Sequence, residues 1–127
     1  MGIYKEKVLL SKEEERLINS DITESNINTI RDFKSYLIAG RIGILRTLRY
    51  MIDLRLICQK YKDKDFSTWN SKDIIEVMEK VEIEDISDSS KNEYRRTLRK
   101  FFKWLKGEDW PELKALKGEK KHSRKPQ

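Results

Sequence analysis

Basic side chains recur at helical spacing in the segment Ser87–Gly107, and this pattern suits the binding of a polyanion. At about 100° per residue, one side of the predicted helix carries Asn92, Arg96, Arg99, Lys100 and Lys103. Lysine and arginine can pair with the phosphates of a nucleic acid, and arginine can also grip a guanine edge. Lys91, Asn92 and Arg95 lie near the helix start, where backbone amides also favour phosphate.

A second cationic surface is predicted from Arg41–Lys60, which holds five basic residues against Asp53 alone. Its candidate DNA contacts are Arg46, Thr47, Arg49 and Tyr50, with Arg41 at a helix boundary near the DNA backbone. If both helix faces align, they could straddle a duplex. Two other readings stay open: a solvated basic helix, and pairing of the arginines with acidic neighbours on other helices.

Catalytic chemistry has no support in the residue pattern. His122 is the only histidine and Cys58 the only cysteine, so no Cys/His metal set can be built. The five glycines are scattered and form no phosphate loop. The carboxylate runs Glu13–Glu15 and Glu82–Asp85 are interpreted as exposed charge. The sequence predicts no catalytic residues, no metal and no cofactor.

Charge is distributed unevenly along the 127 residues, whose net charge is +6. Residues 1–87 hold 15 basic and 16 acidic side chains, whereas residues 88–127 hold 13 basic and 6 acidic ones. This excess indicates a nucleic-acid surface or a basic tail. A single cysteine is typical of a reducing compartment, and no apolar run of about 18 residues predicts a membrane span. We therefore expect a cytoplasmic protein that does not associate with a membrane.

The elements that position these residues are predicted to be helices. A lead-in over residues 1–23 could hold a short helix after the capping pattern Ser11–Glu14, and residues 24–117 should form one domain. The four principal helices are expected at Glu24–Gly40, Ile42–Tyr61, Lys72–Val81 and Ser87–Gly107, followed by a turn at Glu112–Lys117. The fold class is thus an all-α, compact four-helix bundle, with residues 118–127 as a flexible basic tail or linker.

Helix ends and faces can be assigned from the same pattern. Gly40 and Gly107 should end helices, and Asp88 or Ser89 should cap the last one. The predicted core comprises Ile27, Ile30, Phe33, Leu37, Ile44, Leu45, Leu48, Met51, Ile52, Leu56, Cys58, Ile74, Ile75, Val77, Met78, Val81, Tyr94, Leu98, Phe101, Phe102 and Leu105, with Phe66 and Trp69 as anchors in a connection. Asn70 or Ser71 should cap the third helix, and Arg55, on an apolar side, should be paired or snorkel.

Three segments in this order resemble a known family. They are I-N-T-I-R-D-F-K-S-Y-L-I-A-G-R at Ile27–Arg41, K-D-K-D-F-S-T-W-N-S-K-D-I at Lys62–Ile74, and S-D-S-S-K-N-E-Y-R-R-T-L-R-K-F-F-K-W-L-K-G at Ser87–Gly107. The set is similar to the N-terminal SAM-like domain of phage integrases, closest to archaeal integrases of the tyrosine recombinase family. The resemblance covers about Glu24–Lys117.

This resemblance implies a core-binding domain, which forms half of a clamp around duplex DNA at a recombination site. A separate C-terminal catalytic domain supplies the other half, with a His-x-x-Arg box and a tyrosine nucleophile. The resemblance implies both as partners, with a monomeric isolated domain and a recombinase that is tetrameric on DNA.

The chain departs from the full family pattern. His122–Arg124 has the wrong spacing for the His-x-x-Arg box, and Tyr94 lies on an apolar stripe. We therefore expect DNA binding without cleavage. The last residues fall where the linker to a catalytic domain would run, which favours a trimmed piece of a longer protein.

Two other function classes remain open at this stage. The basic helix face could meet an acidic protein partner, such as Glu82–Asp85 of a second copy. Alternatively, the chain could be a helical transcription regulator of another family, which predicts a stable dimer and a palindromic DNA site.

Overall fold

Helices joined by short connections make up residues 2–116, the part that the computed structural model describes. The α-helices are α1 (Gly2–Ile18), α2 (Glu24–Ala39), α3 (Ile44–Lys60), α4 (Ser71–Ile83) and α5 (Asp88–Lys106). Short 3-10 helices occupy Phe66–Thr68 and Pro111–Leu116. No strand occurs in residues 2–116, which confirms the all-α prediction. The predicted tail, residues 118–127, lies outside the described residues.

Contacts divide the chain into two compact units, Met1–Thr68 and Trp69–Gln127. In the first unit α3 packs against both α1 and α2. In the second, α4, α5 and the last 3-10 helix pack together. None of the helices within residues 2–116 is both long and apolar enough to span a membrane.

Helix α1 is longer than predicted and is integrated into the first unit. It begins at Gly2 and passes through Ser11, where the sequence pattern placed a helix start. Leu17 is fully buried, and so is Glu13, on the same helix face one turn earlier. The prediction that the whole Glu13–Glu15 run is exposed is therefore wrong for Glu13.

Glu13 forms a bidentate ion pair with Arg55 of α3. Its Oε2 lies 2.5 Å from Nε of Arg55, and its Oε1 accepts a bond of 3.1 Å from Nη2. Arg16 adds a contact of 3.3 Å to Oε1, and Gln59 accepts another bond from Arg55. Arg55 is thus paired, as predicted from its apolar surroundings.

The neighbouring carboxylate, Glu14, ties α1 to α2. It lies 2.9 Å from Nε of Arg31 and 3.1 Å from Nζ of Lys34. Partial burial alone would raise its pKa, but the hydrogen bonds and charges of Arg31 and Lys34 outweigh burial. The pKa of Glu14 consequently lies below the ordinary glutamate value.

The buried face of α3 differs from the prediction. Its buried residues are Thr47, Tyr50, Met51, Asp53, Leu54, Ile57 and Cys58. Leu45 is 53% exposed, and the remaining predicted core positions of this helix are half-buried: Ile44, Leu48, Ile52 and Leu56. Because α3 packs against two helices, its buried surface is broad and includes the polar flank that the sequence assigned to solvent.

Asn26 organises the connection that follows α3. Fully buried on α2, it donates from Nδ2 to Oδ1 of Asp63 at 3.0 Å and to the carbonyl of Lys64 at 2.9 Å. Its Oδ1 accepts the backbone N–H of Phe66 at 3.0 Å. Asp63 in turn accepts the backbone N–H of Thr23, the residue before α2. Asn26 therefore supplies hydrogen-bond partners to backbone groups of the connection that are not paired with other backbone groups.

The buried core around this connection matches the prediction at Ile30, Phe33, Leu37 and Phe66, all fully buried, whereas Ile27 is half-buried. Cys58 is also buried, as predicted, 3.9 Å from Nδ2 of Asn26. Burial, reinforced by the charge of Asp63, raises the pKa of the Cys58 thiol.

Helix α2 ends in a Schellman arrangement whose left-handed residue is Arg41 rather than the expected glycine. The N–H of Arg41 bonds the carbonyl of Ile38, and the N–H of Ile42 bonds that of Leu37, both at 3.0 Å. Gly40 has φ −86°, whereas Arg41 has φ 68°. Gly40 thus lies one residue before the position whose positive φ favours glycine.

Arg41→Gly should raise the free energy of unfolding by about 0.5–1 kcal/mol, because glycine adopts positive φ without the steric cost that an L side chain carries. Urea denaturation of the variant measures this. Arg41→Ala keeps the strained Cβ and should show no gain. A less stable glycine variant would contradict the expectation.

In the second unit α4 starts with a complete capping box. Asn70 accepts the N–H of Lys72 and Asp73, and Asp73 accepts the N–H of Asn70. This confirms Asn70 as the cap. Four predicted core residues are buried, namely Ile74, Val77, Met78 and Val81, but Ile75 is 57% exposed and its assignment is wrong. It lies on the flank of α4 that turns to solvent.

Aromatic side chains form the centre of the second unit. Phe102 lies 5.5 Å from Trp69, and Trp110 lies 5.0 Å from Phe102 between ring centroids. Trp69 is buried, as predicted, and Leu116 of the last 3-10 helix is fully buried. This helix, Pro111–Leu116, occupies the place of the predicted final turn.

Candidate nucleic-acid interface

Helix α5 has an apolar side and a cationic side, as its spacing predicts. The buried side consists of Tyr94, Thr97, Leu98, Phe101 and Phe102, with Leu105 half-buried. Ser87 caps the helix by accepting the N–H of Ser90, so the expected caps Asp88 and Ser89 are wrong. Gly107, with φ 100°, ends it as predicted.

The cationic side carries the predicted residues at or near the surface. Asn92, Arg96, Arg99 and Lys103 are exposed, and Lys100 is half-buried. Arg99, Lys100 and Lys103 have no hydrogen-bond or ion-pair partner within residues 2–116. They span about 6 Å of the helix axis at about 1.5 Å per residue. This stretch is a local concentration of charge available to an anion. We call these three residues the α5 cation cluster.

Arg96 differs from the cluster because it is paired. Its Nη1 lies 2.6 Å from Oε1 of Glu93, three residues earlier on the same helix. The i, i+3 spacing of an acidic and a basic residue is a recognisable signal for such a pair. Glu93 was not among the residues predicted for this surface, although its spacing from Arg96 could have indicated the pair.

Lys91 and Arg95 have partners inside the second unit. Lys91 donates from Nζ to the carbonyl of Glu82 at 2.7 Å, and Nη2 of Arg95 lies 3.3 Å from Oε2 of Glu82. Nη1 of Arg95 lies 3.5 Å from the carbonyl of Ala115. These two cations therefore fasten α5 to the end of α4 and to the last 3-10 helix.

In the first unit only part of the predicted set is available to a ligand. Thr47 is fully buried and Tyr50 is 7% exposed, so neither side chain lies on the surface where the sequence placed it. Arg46 lies over the Tyr50 ring at 5.7 Å, and Nε of Arg49 lies 3.6 Å from Oδ1 of the buried Asp53. This acidic neighbour of Arg49 is on the same helix, α3. Arg41 is exposed.

No cluster of three or more histidine, cysteine, aspartate or glutamate side chains suited to a metal ion occurs in the described part of the chain. His122 lies outside the described residues. Tyr94 is buried in the α5 stripe, as its position predicted.

The described residues 2–116 form helices without strands, and the last long helix, α5, has a cationic side opposite its buried stripe. Residues 30–109 match the family model described as "Phage integrase, N-terminal SAM-like domain". The match covers more than half of the chain, and the protein belongs to this family. The family is a non-catalytic domain of integrases. Comparisons with curated proteins and with solved structures gave no match.

Proposed function

We propose that this chain is the DNA-binding, core-binding domain of a site-specific tyrosine recombinase, and that it grips duplex DNA at the recombination site. Family membership supports this assignment. The observation that carries it is the α5 cation cluster of Arg99, Lys100 and Lys103, which has no partner within residues 2–116 and lies opposite the buried stripe of the helix.

The chemistry of this binding is ionic and needs no cofactor. Each lysine or arginine that pairs with a phosphate releases counterions from the DNA, and this release supplies affinity. An α-helix fits the major groove, which is about 12 Å wide, so α5 can bring its cations to the phosphates and Asn92 to the base edges. Arg41, Arg46 and Arg49 of the first unit are further candidate contacts.

The remaining candidates take different roles in this proposal. Lys91 and Arg95 act as positioning residues, because their partners are Glu82 and Ala115. Strand cleavage would belong to a separate C-terminal catalytic domain, since this family is the non-catalytic domain. We further propose that the isolated domain is monomeric, that the recombinase is tetrameric on DNA in the cytoplasm, and that it is related to archaeal integrases.

Arg99→Ala combined with Lys103→Ala tests the proposal. Because each phosphate contact contributes about 0.9 to the slope of log K against log salt concentration, the double variant should reduce that slope by about 1.8 and weaken binding to any duplex. Fluorescence anisotropy with a labelled duplex at several salt concentrations measures both quantities. The matched control is Lys5→Ala with Lys12→Ala, which removes the same charge from the exposed surface of α1.

An unchanged slope in the folded double variant would refute the role of α5. Salt-sensitive self-association in light scattering, without any binding to duplex DNA, would instead support a protein-interaction module. The Glu82 carboxylate already has Arg95 as a partner within its own unit, which weakens the case for an acidic docking segment at Glu82–Asp85.

A further inference from the structure

Arg96 is held in place by a carboxylate that is itself well packed. The Glu93 side chain is 17% exposed, whereas the Arg96 side chain is 57% exposed. Their 2.6 Å contact joins Nη1 of Arg96 to Oε1 of Glu93. The guanidinium therefore projects from the helix while one of its corners is fixed, which reduces the number of rotamers it must give up on binding.

The contact leaves a complete donor edge open. It engages Nη1 alone, and neither Nε nor Nη2 of Arg96 has an acceptor within residues 2–116. These two nitrogens are neighbours on the planar guanidinium and point their hydrogens in parallel. A pair of parallel donors matches the O6 and N7 acceptors that guanine presents in the major groove.

Charge distinguishes Arg96 from the α5 cation cluster. A phosphate seated on Arg96 would lie close to the Glu93 carboxylate, and the two negative charges would repel each other. Guanine O6 and N7 carry no net charge, so the carboxylate interferes far less with a base edge. The cluster residues Arg99, Lys100 and Lys103 have no such carboxylate partner and suit phosphates.

We propose that Arg96 reads a guanine in the major groove and that Glu93 is the positioning residue that orients it. This inference rests on the proposed function, namely that α5 binds duplex DNA. It assigns base recognition to the paired arginine and sequence-independent affinity to the unpaired cluster.

The test is selection of binding sites from a random-sequence duplex library by the whole chain and its variants. The chain should enrich a G at one position, with a preference of roughly five- to hundredfold. Arg96→Lys keeps the charge but lacks the parallel donors, so it should lose this preference alone and keep its salt slope. Arg31→Lys, at another exposed arginine that pairs with a glutamate but lies on α2, is the matched control and should retain the preference.

Glu93→Gln supplies a second readout that loss of packing would not produce. Freeing Arg96 from its carboxylate should make it available to a phosphate, which would steepen the salt slope by about 0.9 and increase binding to unselected DNA while the G preference falls. Circular dichroism checks that the variant is folded.

The outcomes separate this inference from the proposed function. Salt-dependent binding with the same base preference in wild type and Arg96→Lys would overturn the guanine assignment and leave DNA binding intact. Absence of binding to every duplex in the library would overturn the proposed function, and the guanine assignment with it.

Discussion

Glu13→Ala should lower the free energy of unfolding by about 3–5 kcal/mol, the usual cost of leaving one member of a buried ion pair alone. Glu13 is fully buried and Arg55 is 15% exposed, so water cannot replace the lost carboxylate without rearrangement. Urea denaturation followed by circular dichroism measures the loss. Glu15→Ala removes the same side chain from an exposed position two residues away and should change stability by no more than about 0.5 kcal/mol.

A double variant distinguishes the loss of the ion pair itself from the cost of leaving the Arg55 charge without a partner. Glu13→Ala with Arg55→Met removes both charges and should recover part of the stability, because an apolar pair avoids the desolvation penalty. A loss below about 1 kcal/mol for Glu13→Ala would show that Arg55 finds solvent easily, and the ion pair would then not be a major support of α1.

Asn26→Ala is expected to lower the free energy of unfolding by about 2–4 kcal/mol, because it leaves several buried polar groups without hydrogen-bond partners. The N–H of Phe66 loses its acceptor, and Asp63 and the carbonyl of Lys64 lose their donor. Thermal unfolding measures the effect. Asn28→Ala, on the exposed side of the same helix, is the control and should be close to neutral.

Replacing the Asn26 amide by a charged carboxylate tests the same contact more stringently. Asn26→Asp replaces the donor amide by a carboxylate that faces Asp63, so it should be at least as destabilising as the alanine variant. Adding Asp63→Asn to the Asn26→Asp variant should restore part of the lost stability, because the new amide returns a hydrogen-bond donor to the pair. Failure of both Asn26 variants to destabilise the chain would mean that the connection after α3 is held by other contacts.

The periodicity of α5 allowed its structure to be predicted closely from sequence. Its apolar residues fall on a single stripe, so only one orientation buries Leu98, Phe101 and Phe102. Helix α3 has apolar residues around most of its circumference, and periodicity could not choose among its faces. Its packing against α1 and α2 decided that Tyr50 and Asp53 are buried and Leu45 is exposed.

The cationic side of α5 was predictable for the same reason, but the partners of its residues were not. Arg95 and Lys91 both reach Glu82, which belongs to another helix, and no spacing rule connects positions so far apart. The connection after α3 shows the same limit, since Asn26 meets Phe66 across 40 residues of sequence. Such contacts depend on tertiary structure rather than on local pattern.

The Glu13–Arg55 pair has a practical consequence for anyone who expresses this domain. The family match starts at residue 30, after Glu13, Leu17 and Asn26. A version trimmed to that boundary would lose all of α1, uncover the α3 surface that α1 packs against, and leave Arg55 without its carboxylate. We therefore expect shortened versions that retain α1 to be more stable than versions that begin where the family match begins.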